Sequence, residues 1–421
     1  MSLLFGTDGI RGCFGEGVVS EGGFVNVAHA LALAFQNAGR IAVARDTRES
    51  GEILSNIVAD TLRKLGRDVV DLGVVPTPAL AIYTEQYHAL GLMITASHNP
   101  PCDNGMKIIL NGKKISSALE RHVERCYEWY ANTERLYGVR YTHDAEFYRQ
   151  SIRARIGSFK ANDIKVVLDT ANGACSAFAP ELFAEYGFDV DAICSDGDGK
   201  HINVNCGVLE TKMLLDRMQE IGAEIGIAFD GDGDRVVFCS QYGEVSGEDV
   251  IACLASEVPQ CSRIVTTRMS SMVLEMFATQ SGIEVLYAEP GDRNVVEVME
   301  KYSVPVGGES SGHFLMKGMG HVSDGILIGL YLSLRYAKHA ECCFAEYISR
   351  VPKILTKKLS LKLHKSSMRP LYYKDASMNI AIRPSGTEKC WRVLVEGGDE
   401  VSFARASTIV NEFFGVDVFA A

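Results

Sequence analysis

Three aspartates separated by single glycines, Asp230, Asp232 and Asp234 in AFDGDGDR, crowd one short turn behind the apolar stretch IGIAF. At about 5 Å and an effective dielectric near 20, each carboxylate pair repels by roughly 3 kcal/mol, so a bound cation is the natural compensation. Carboxylate oxygens select a hard ion such as Mg²⁺ or Ca²⁺. An EF-hand is excluded, because Arg235 stands where that loop needs Gly and Gln241 where it needs Glu. The alternative for the same residues is a solvated acidic turn.

Five further segments carry side chains suited to chemistry. TASHNP, Thr95 to Pro100, sets the hydroxyl of Ser97 beside His98, and Pro100 and Pro101 stop a regular helix from continuing. Ser97 is thus a candidate nucleophile or phosphoryl carrier, although neighbours in sequence rarely pair in space and an ordinary turn fits as well. Lys107, in DNGMK, reaches the same loop or stands exposed. RPSGTE, Arg383 to Glu388, joins a guanidinium, two hydroxyls and a glycine in a turn that makes a compact anion nest, with Arg392 four residues beyond Glu388 as a second fork. GGESSGH, Gly307 to His313, offers Glu309, Ser310, Ser311 and His313 to sugar hydroxyls, or is an acidic surface loop. In FGTDGIRG, Arg11 meets a phosphate or pairs with Asp8. Neither a G-x-x-x-x-G-K-[ST] loop nor the kinase signature set is present, which disfavours nucleotide-driven transfer. One metal-and-serine centre, one anion nest and one hydroxyl-reading loop suit a phosphosugar.

The elements that must position these loops follow from periodicity. IAVARDTRESG from Ile41, IKVVLDTANGA from Ile164 and RIVTTRMSSM from Arg263 each run from a β-branched strand through a polar turn into a helix. They predict three α/β units with mixed or parallel sheets, each of about a hundred residues or more. The last segment differs. Ile354 to Leu363, Asn379 to Arg383 and Cys390 to Glu396 read as strands and Val401 to Phe414 as a closing helix, an α+β unit. The expected domains are 1–145 with the serine loop, 146–243 with the acidic loop, 244–352 with the GGESSGH loop and 353–421 with the anion nest.

Composition narrows the partners. The 421 residues carry a formal net charge of −11, against a sequence-independent grip on nucleic acid. Gly, at 40 residues, exceeds the usual share of about 7% and points to tight turns and close backbone approaches. The longest apolar run, Gly325 to Leu334, is too short for the ~20 residues of a membrane span. The first dozen residues lack the basic-then-apolar order of a signal peptide, which points to the cytoplasm. None of the twelve cysteines is spaced C-x-x-C, so neither a zinc site nor a disulfide framework is expected, and the cysteines read as mostly buried small hydrophobes.

FGTDGIRG, TASHNP, DNGMK, FDGDGDR, GGESSGH and RPSGTE, in this order, resemble the α-D-phosphohexomutase superfamily over nearly the whole chain. Within it, DTRESG at Asp46, LDTANGA at Leu168, HINVNCG at His201 and PGDR at Pro290 most resemble the bacterial phosphoglucosamine mutases. The resemblance implies four domains around a cleft. It also implies that Ser97 carries the phosphoryl group and, with Asp230, Asp232 and Asp234, holds one Mg²⁺. By the same resemblance Arg235 contacts the phosphate. Arg11, His98, Lys107 and His313 lie near the transferring group, with Lys107 or His313 carrying the proton. Glu309 and Ser311 bind sugar hydroxyls, Arg383, Ser385, Gly386, Thr387 and Arg392 bind the substrate's own phosphate, and Asp292 and Arg293 lie on a substrate-selecting segment. A hexose 1,6-bisphosphate is the implied phosphoryl donor for Ser97. The implied reaction interconverts glucosamine 6-phosphate and glucosamine 1-phosphate, in a monomer or homodimer. A phosphomannomutase or phosphoglucomutase and a silent phosphosugar-binding relative are the alternatives. Pro352 to Arg383 is shorter than is usual in that branch, so the fourth domain is expected to lack a helix, and Ser310 stands where the superfamily varies.

Overall fold

The computed structural model describes residues 4–6, 8–128, 137–339, 341–362, 369–384 and 390–419. Compactness divides the chain into two units, Met1–Val245 with Ser311–Tyr347, and Ser246–Ser310 with Ile348–Ala421.

The first unit holds two mixed sheets. In one, strands run in the order Ile10–Cys13, Asp103–Leu110, Leu90–Ile94, Ile41–Arg45, Val69–Val74 and Arg140–Thr142, with Lys113–Lys114 paired on Asp103–Leu110. The middle of this sheet is parallel, whereas Asp103–Leu110 lies antiparallel to both neighbours. That reversal brings Met106 opposite Ile94 and Lys107 opposite Met93, immediately below the serine loop. The strand Leu90–Ile94 is buried throughout, as expected for a strand covered on both faces. Helix Glu49–Lys64 carries Glu49 and Glu52 in its first turn and Arg63 and Lys64 in its last, matching the helix dipole. The second sheet runs Gly243–Glu244, Val236–Ser240, Ile225–Phe229, Lys165–Asp169, Asp189–Ile193. Its central strand Ile225–Phe229 is wholly buried and delivers the chain into the acidic turn before Val236–Ser240 returns antiparallel.

The second unit contains the parallel strands Glu284–Ala288, Arg263–Thr267 and Val306–Gly308. It also contains an antiparallel sheet in the order Leu355–Leu361, Trp391–Gly397, Met378–Pro384, Leu371–Lys374. Helix Glu400–Phe414 packs Ala406, Val410 and Phe414 onto this sheet. Strand Leu371–Lys374 was not anticipated, since its tyrosines face outward and show little apolar alternation. Among the described residues between 352 and 383 there is no helix.

The cysteines correct one expectation. Only Cys175, Cys206, Cys239, Cys253 and Cys390 are buried, six are half-buried and Cys102 is exposed, because many sit at strand ends and turns rather than in the layers. All twelve are free thiols. No described helix is long and apolar enough to cross a membrane.

Candidate active site

Ser97 follows strand Leu90–Ile94 in the left-handed region, with φ of 54°, and is fully buried. Such a backbone costs a non-glycine residue of order 1 kcal/mol or more and needs surrounding support. The support is local and remote. Thr95 Oγ1 accepts the Ser97 amide at 2.8 Å and donates to Asp46 at 2.6 Å. Asp46 in turn pairs with Nε of Arg48 at 3.0 Å. Arg48, wholly buried, then donates to the carbonyls of Ser97, Asn99, Pro100 and Asp103. The amide of Asn203 donates to the carbonyls of Ser97 and Asn99 at 2.9 and 3.0 Å. One guanidinium and one carboxamide thus span the loop's carbonyls, a role that no local motif betrays.

Ser97 Oγ donates to Asp230 at 2.6 Å and lies 3.2 Å from His98 Nδ1, so the neighbours in sequence do pair in space. Oxygens of Asp230, Asp232 and Asp234 all stand within 4.8 Å of one another, and all three residues are fully buried, which rules out a solvated turn. Burial, reinforced by Asp232 and Asp234, raises Asp230 to about 7.

Part of the compensating charge is internal. Lys107 is 2% exposed, not a surface lysine, and its ammonium sits 2.6 Å from Asp232, 2.5 Å from Asp234 and 3.2 Å from Asp8. Burial alone would favour neutral Lys107, but Asp232, Asp234 and Asp8 together raise its pKa, so it stays charged. Lys114 bridges Asp8 at 2.7 Å and Asp234 at 3.3 Å, and Arg11 pairs with Asp8 at 2.8 Å. Asp8 and Lys114 were not singled out as contributors to this centre, Asp8 having been read only as a partner for Arg11. Burial works against the Asp8 carboxylate, yet Lys107, Lys114 and Arg11 hold it well below the usual range. His98 is pushed well below its usual value by burial and then by Arg235, Arg11, Lys107 and His313. Nε2 of His313 lies 3.3 Å from Asp234, and Nε of Arg235 4.0 Å from Asp230.

The donor set fits a hard cation. Every candidate ligand atom is oxygen, and Oδ1 of Asp232 is buried with no hydrogen-bond partner, while Oδ2 accepts from Thr77 and Lys107. An unsatisfied buried carboxylate oxygen is costly unless something binds it.

Ser97, His98, Lys107, Arg11, Asp230, Asp232, Asp234, Arg235 and His313 are therefore gathered in the first unit. Ser311, in the same unit, is exposed. In the second unit Glu309 accepts the Gly291 amide at 3.0 Å, and buried Asp292 begins helix Asp292–Tyr302 and accepts the Arg293 amide at 2.9 Å. Arg383 and Arg392 are directly paired across antiparallel strands. Like charges so placed repel, and a bound anion relieves them. Ser385, Gly386 and Thr387 lie outside the described residues.

Residues 2–134, 146–243 and 246–352 match, respectively, domains I, II and III described as phosphoglucomutase/phosphomannomutase, alpha/beta/alpha. The chain is 35% identical to the phosphoglucosamine mutase of Salinispora tropica over 98% of each chain. It is also 35% identical to that of Thermotoga neapolitana, over 94% of this chain and 95% of the relative. A phosphoglucomutase/phosphomannomutase family protein of Burkholderia thailandensis superposes with a TM-score of 0.84 at 24% identity, over 97% of this chain and 96% of the other. Aspergillus fumigatus N-acetylphosphoglucosamine mutase in complex with GlcNAc-6P and magnesium gives 0.64 at 14% identity, over 98% and 95%. With three consecutive domains matched and curated relatives aligned over nearly its full length, the chain belongs to the phosphohexomutase superfamily of phosphoryl-transferring isomerases.

Proposed function

We propose that this chain interconverts glucosamine 6-phosphate and glucosamine 1-phosphate through a phosphorylated Ser97 and a bisphosphorylated sugar. The observation that carries the reading is the hydroxyl of Ser97, held 2.6 Å from Asp230 inside a buried three-carboxylate cluster beside a charged lysine. Relatives named phosphoglucosamine mutase, at 35% identity over nearly the whole chain, support the choice of sugar.

Asp230, Asp232, Asp234 and a phosphoserine oxygen would hold one Mg²⁺ per chain, which when bound supplies positive charge to the phosphoryl oxygens. In the first half-reaction the bond between Ser97 Oγ and phosphorus breaks as the sugar hydroxyl bonds to that phosphorus. Lys107, kept protonated by its carboxylates, donates to the departing Ser97 Oγ. An imidazole takes the sugar's proton: His313, 3.3 Å from Asp234, or His98, which burial and its cationic neighbours keep neutral. Arg11 and Arg235 carry charge toward the moving group. The bisphosphate then turns, and the second half-reaction returns the other phosphate to Ser97. The paired Arg383 and Arg392, together with Ser385, Gly386 and Thr387, hold whichever phosphate is not reacting. Glu309 and Ser311 take sugar hydroxyls, and Asp292 and Arg293 bias the C2 substituent. A hexose 1,6-bisphosphate charges Ser97 initially. We assign domains 1–145, 146–243, 244–352 and 353–421 to this work, in a cytoplasmic monomer or homodimer with no nucleic-acid or membrane partner.

The test measures kcat/KM for the 1-phosphates of glucosamine, glucose and mannose with one Ser97-phosphorylated preparation. A preference of one to two decades for the amino sugar is expected, the scale of one charged hydrogen bond. Equal or better use of glucose or mannose 1-phosphate overturns the substrate assignment and leaves the mutase assignment standing.

A further inference from the structure

A second constellation of ligand-type side chains lies in the first unit, on the sheet that carries the acidic turn but at different strands. Asp169 ends strand Lys165–Asp169, Cys194 follows strand Asp189–Ile193, and Cys206 precedes the turn Gly207–Leu209. Met213 stands in the first turn of helix Lys212–Ile221. Cys194 Sγ lies 3.6 Å from Met213 Sδ. A carboxylate oxygen of Asp169 and the sulfurs of Cys194 and Cys206 fall within 4.8 Å of one another. The carboxyl ends of parallel strands are where α/β sheets ordinarily bind ligands.

We propose that Cys194, Cys206 and Met213 form a binding site for a soft, thiophilic cation of the Cu(I) type. Two sulfurs on one ion, each about 2.3 Å from it, stand about 3.8–4.0 Å apart at trigonal or tetrahedral angles. The Cys194 to Met213 separation is close to that spacing, and the Cys206 sulfur lies within 4.8 Å of the Cys194 sulfur. Donor chemistry sets the class of ion. Two thiols and a thioether select a soft cation, whereas a hard ion prefers the all-oxygen cluster at Asp230, Asp232 and Asp234. Both oxygens of Asp169 already accept backbone amides, from Ala171 at 2.9 Å and Gly207 at 2.6 Å, so the carboxylate flanks the site and leaves the sulfurs as the ligands. Access also fits: Met213 is 44% exposed and Cys194 half-buried, while Cys206 closes the inner side. On binding, each Sγ–H proton passes to solvent and is replaced by a bond to the ion, without electron transfer. The segment is not remote from the serine loop, because Asn203, three residues before Cys206, holds the Ser97 carbonyl.

The test titrates the reduced full-length protein with Cu(I) under anaerobic competition with bicinchoninate. Cys13, Cys102 and Asp103 form another close group, so Cys102→Ser serves as the control for uptake elsewhere. The expected result is one tight Cu(I) per chain in the unmodified protein and in C102S. Cys194→Ser and Cys206→Ser should lose it, and Met213→Leu should weaken it at least tenfold. Should buried C206S fail to fold, the outward C194S and M213L decide the matter alone. Undiminished affinity in C194S and M213L, no tight binding by the reduced protein, or loss of the tight site in C102S overturns the proposal.

Discussion

The hydroxyl of Ser97 stabilises little of the fold, since one of its hydrogen-bond partners is a carboxylate already crowded by two others. Ser97→Ala should therefore leave the unfolding free energy within about 1 kcal/mol of the parent's while turnover falls by several decades. Intact-mass spectrometry should find one phosphate on the parent and none on the variant, and bisphosphate-dependent turnover by the variant would refute the carrier role. Lys107 behaves oppositely. Replacing it with Met leaves Asp232, Asp234 and Asp8 without their shared ammonium, so both stability, by roughly 3 kcal/mol or more, and kcat should drop. At this scale the sequence was most informative where charge was locally crowded, as at Asp230 to Asp234. It was least so where a partner arrives from afar: Lys107 meets Asp232 across 125 residues, and Thr77 meets the same carboxylate across 155. The DNGMK segment set Lys107 near the transferring group only through resemblance, and nothing in a window around Thr77 encodes its meeting with Asp232.

At the scale of elements, the strands and helices after Ile41, Ile164 and Arg263 followed from β-branched runs and polar turns, and the structure has strands Ile41–Arg45, Lys165–Asp169 and Arg263–Thr267 there. What holds the loops between them was not legible. Arg48 stands at the N-cap of helix Glu49–Lys64, yet it spans four carbonyls of the serine loop. Arg48→Ala should cost about 3–5 kcal/mol in chemical denaturation because Asp46 is left buried and unpaired. A loss under 1 kcal/mol would show that the loop does not depend on it. Helix Gly325–Tyr336 carries a second hidden device, its N-cap Asp324, whose Oδ1 accepts from Leu327 and from Tyr148 while Oδ2 is buried without a partner. Burial outweighs those two donors and raises its pKa to about 6. Between about 4 and 6 the folded protein keeps a proton that the unfolded chain has released, so stability is greatest below that window and declines as pH rises through it. The full decline amounts to roughly 3 kcal/mol from this group. Asp169, raised likewise to about 6 by burial, adds in the same direction. Asp324→Asn should keep the cap and flatten part of the slope in pH-dependent denaturation, and an unchanged slope would assign it to other groups.

For the molecule as a whole, the formal charge of −11 makes the thermal effect of a divalent cation ambiguous unless the site is separated from the surface. A ligand that binds only the folded state stabilises it by about 2.7 kcal/mol at a hundred times its Kd. In a unit of this size that shifts the melting transition by about 5 °C or somewhat more. Mg²⁺ should produce such a shift in the parent protein, with saturation at one ion per chain. Diffuse screening of acidic surface groups would raise the transition too, but without saturation and equally with any salt of the same ionic strength. Asp232→Asn separates the two, since it removes the carboxylate whose Oδ1 is unpaired while changing the net charge by a single unit. Calorimetry with and without a chelator should therefore show a saturable rise in the parent that D232N lacks, alongside a loss of most activity in the variant. An equal rise in both proteins would mean that the ion acts on the surface, and the buried oxygen of Asp232 would then need another partner.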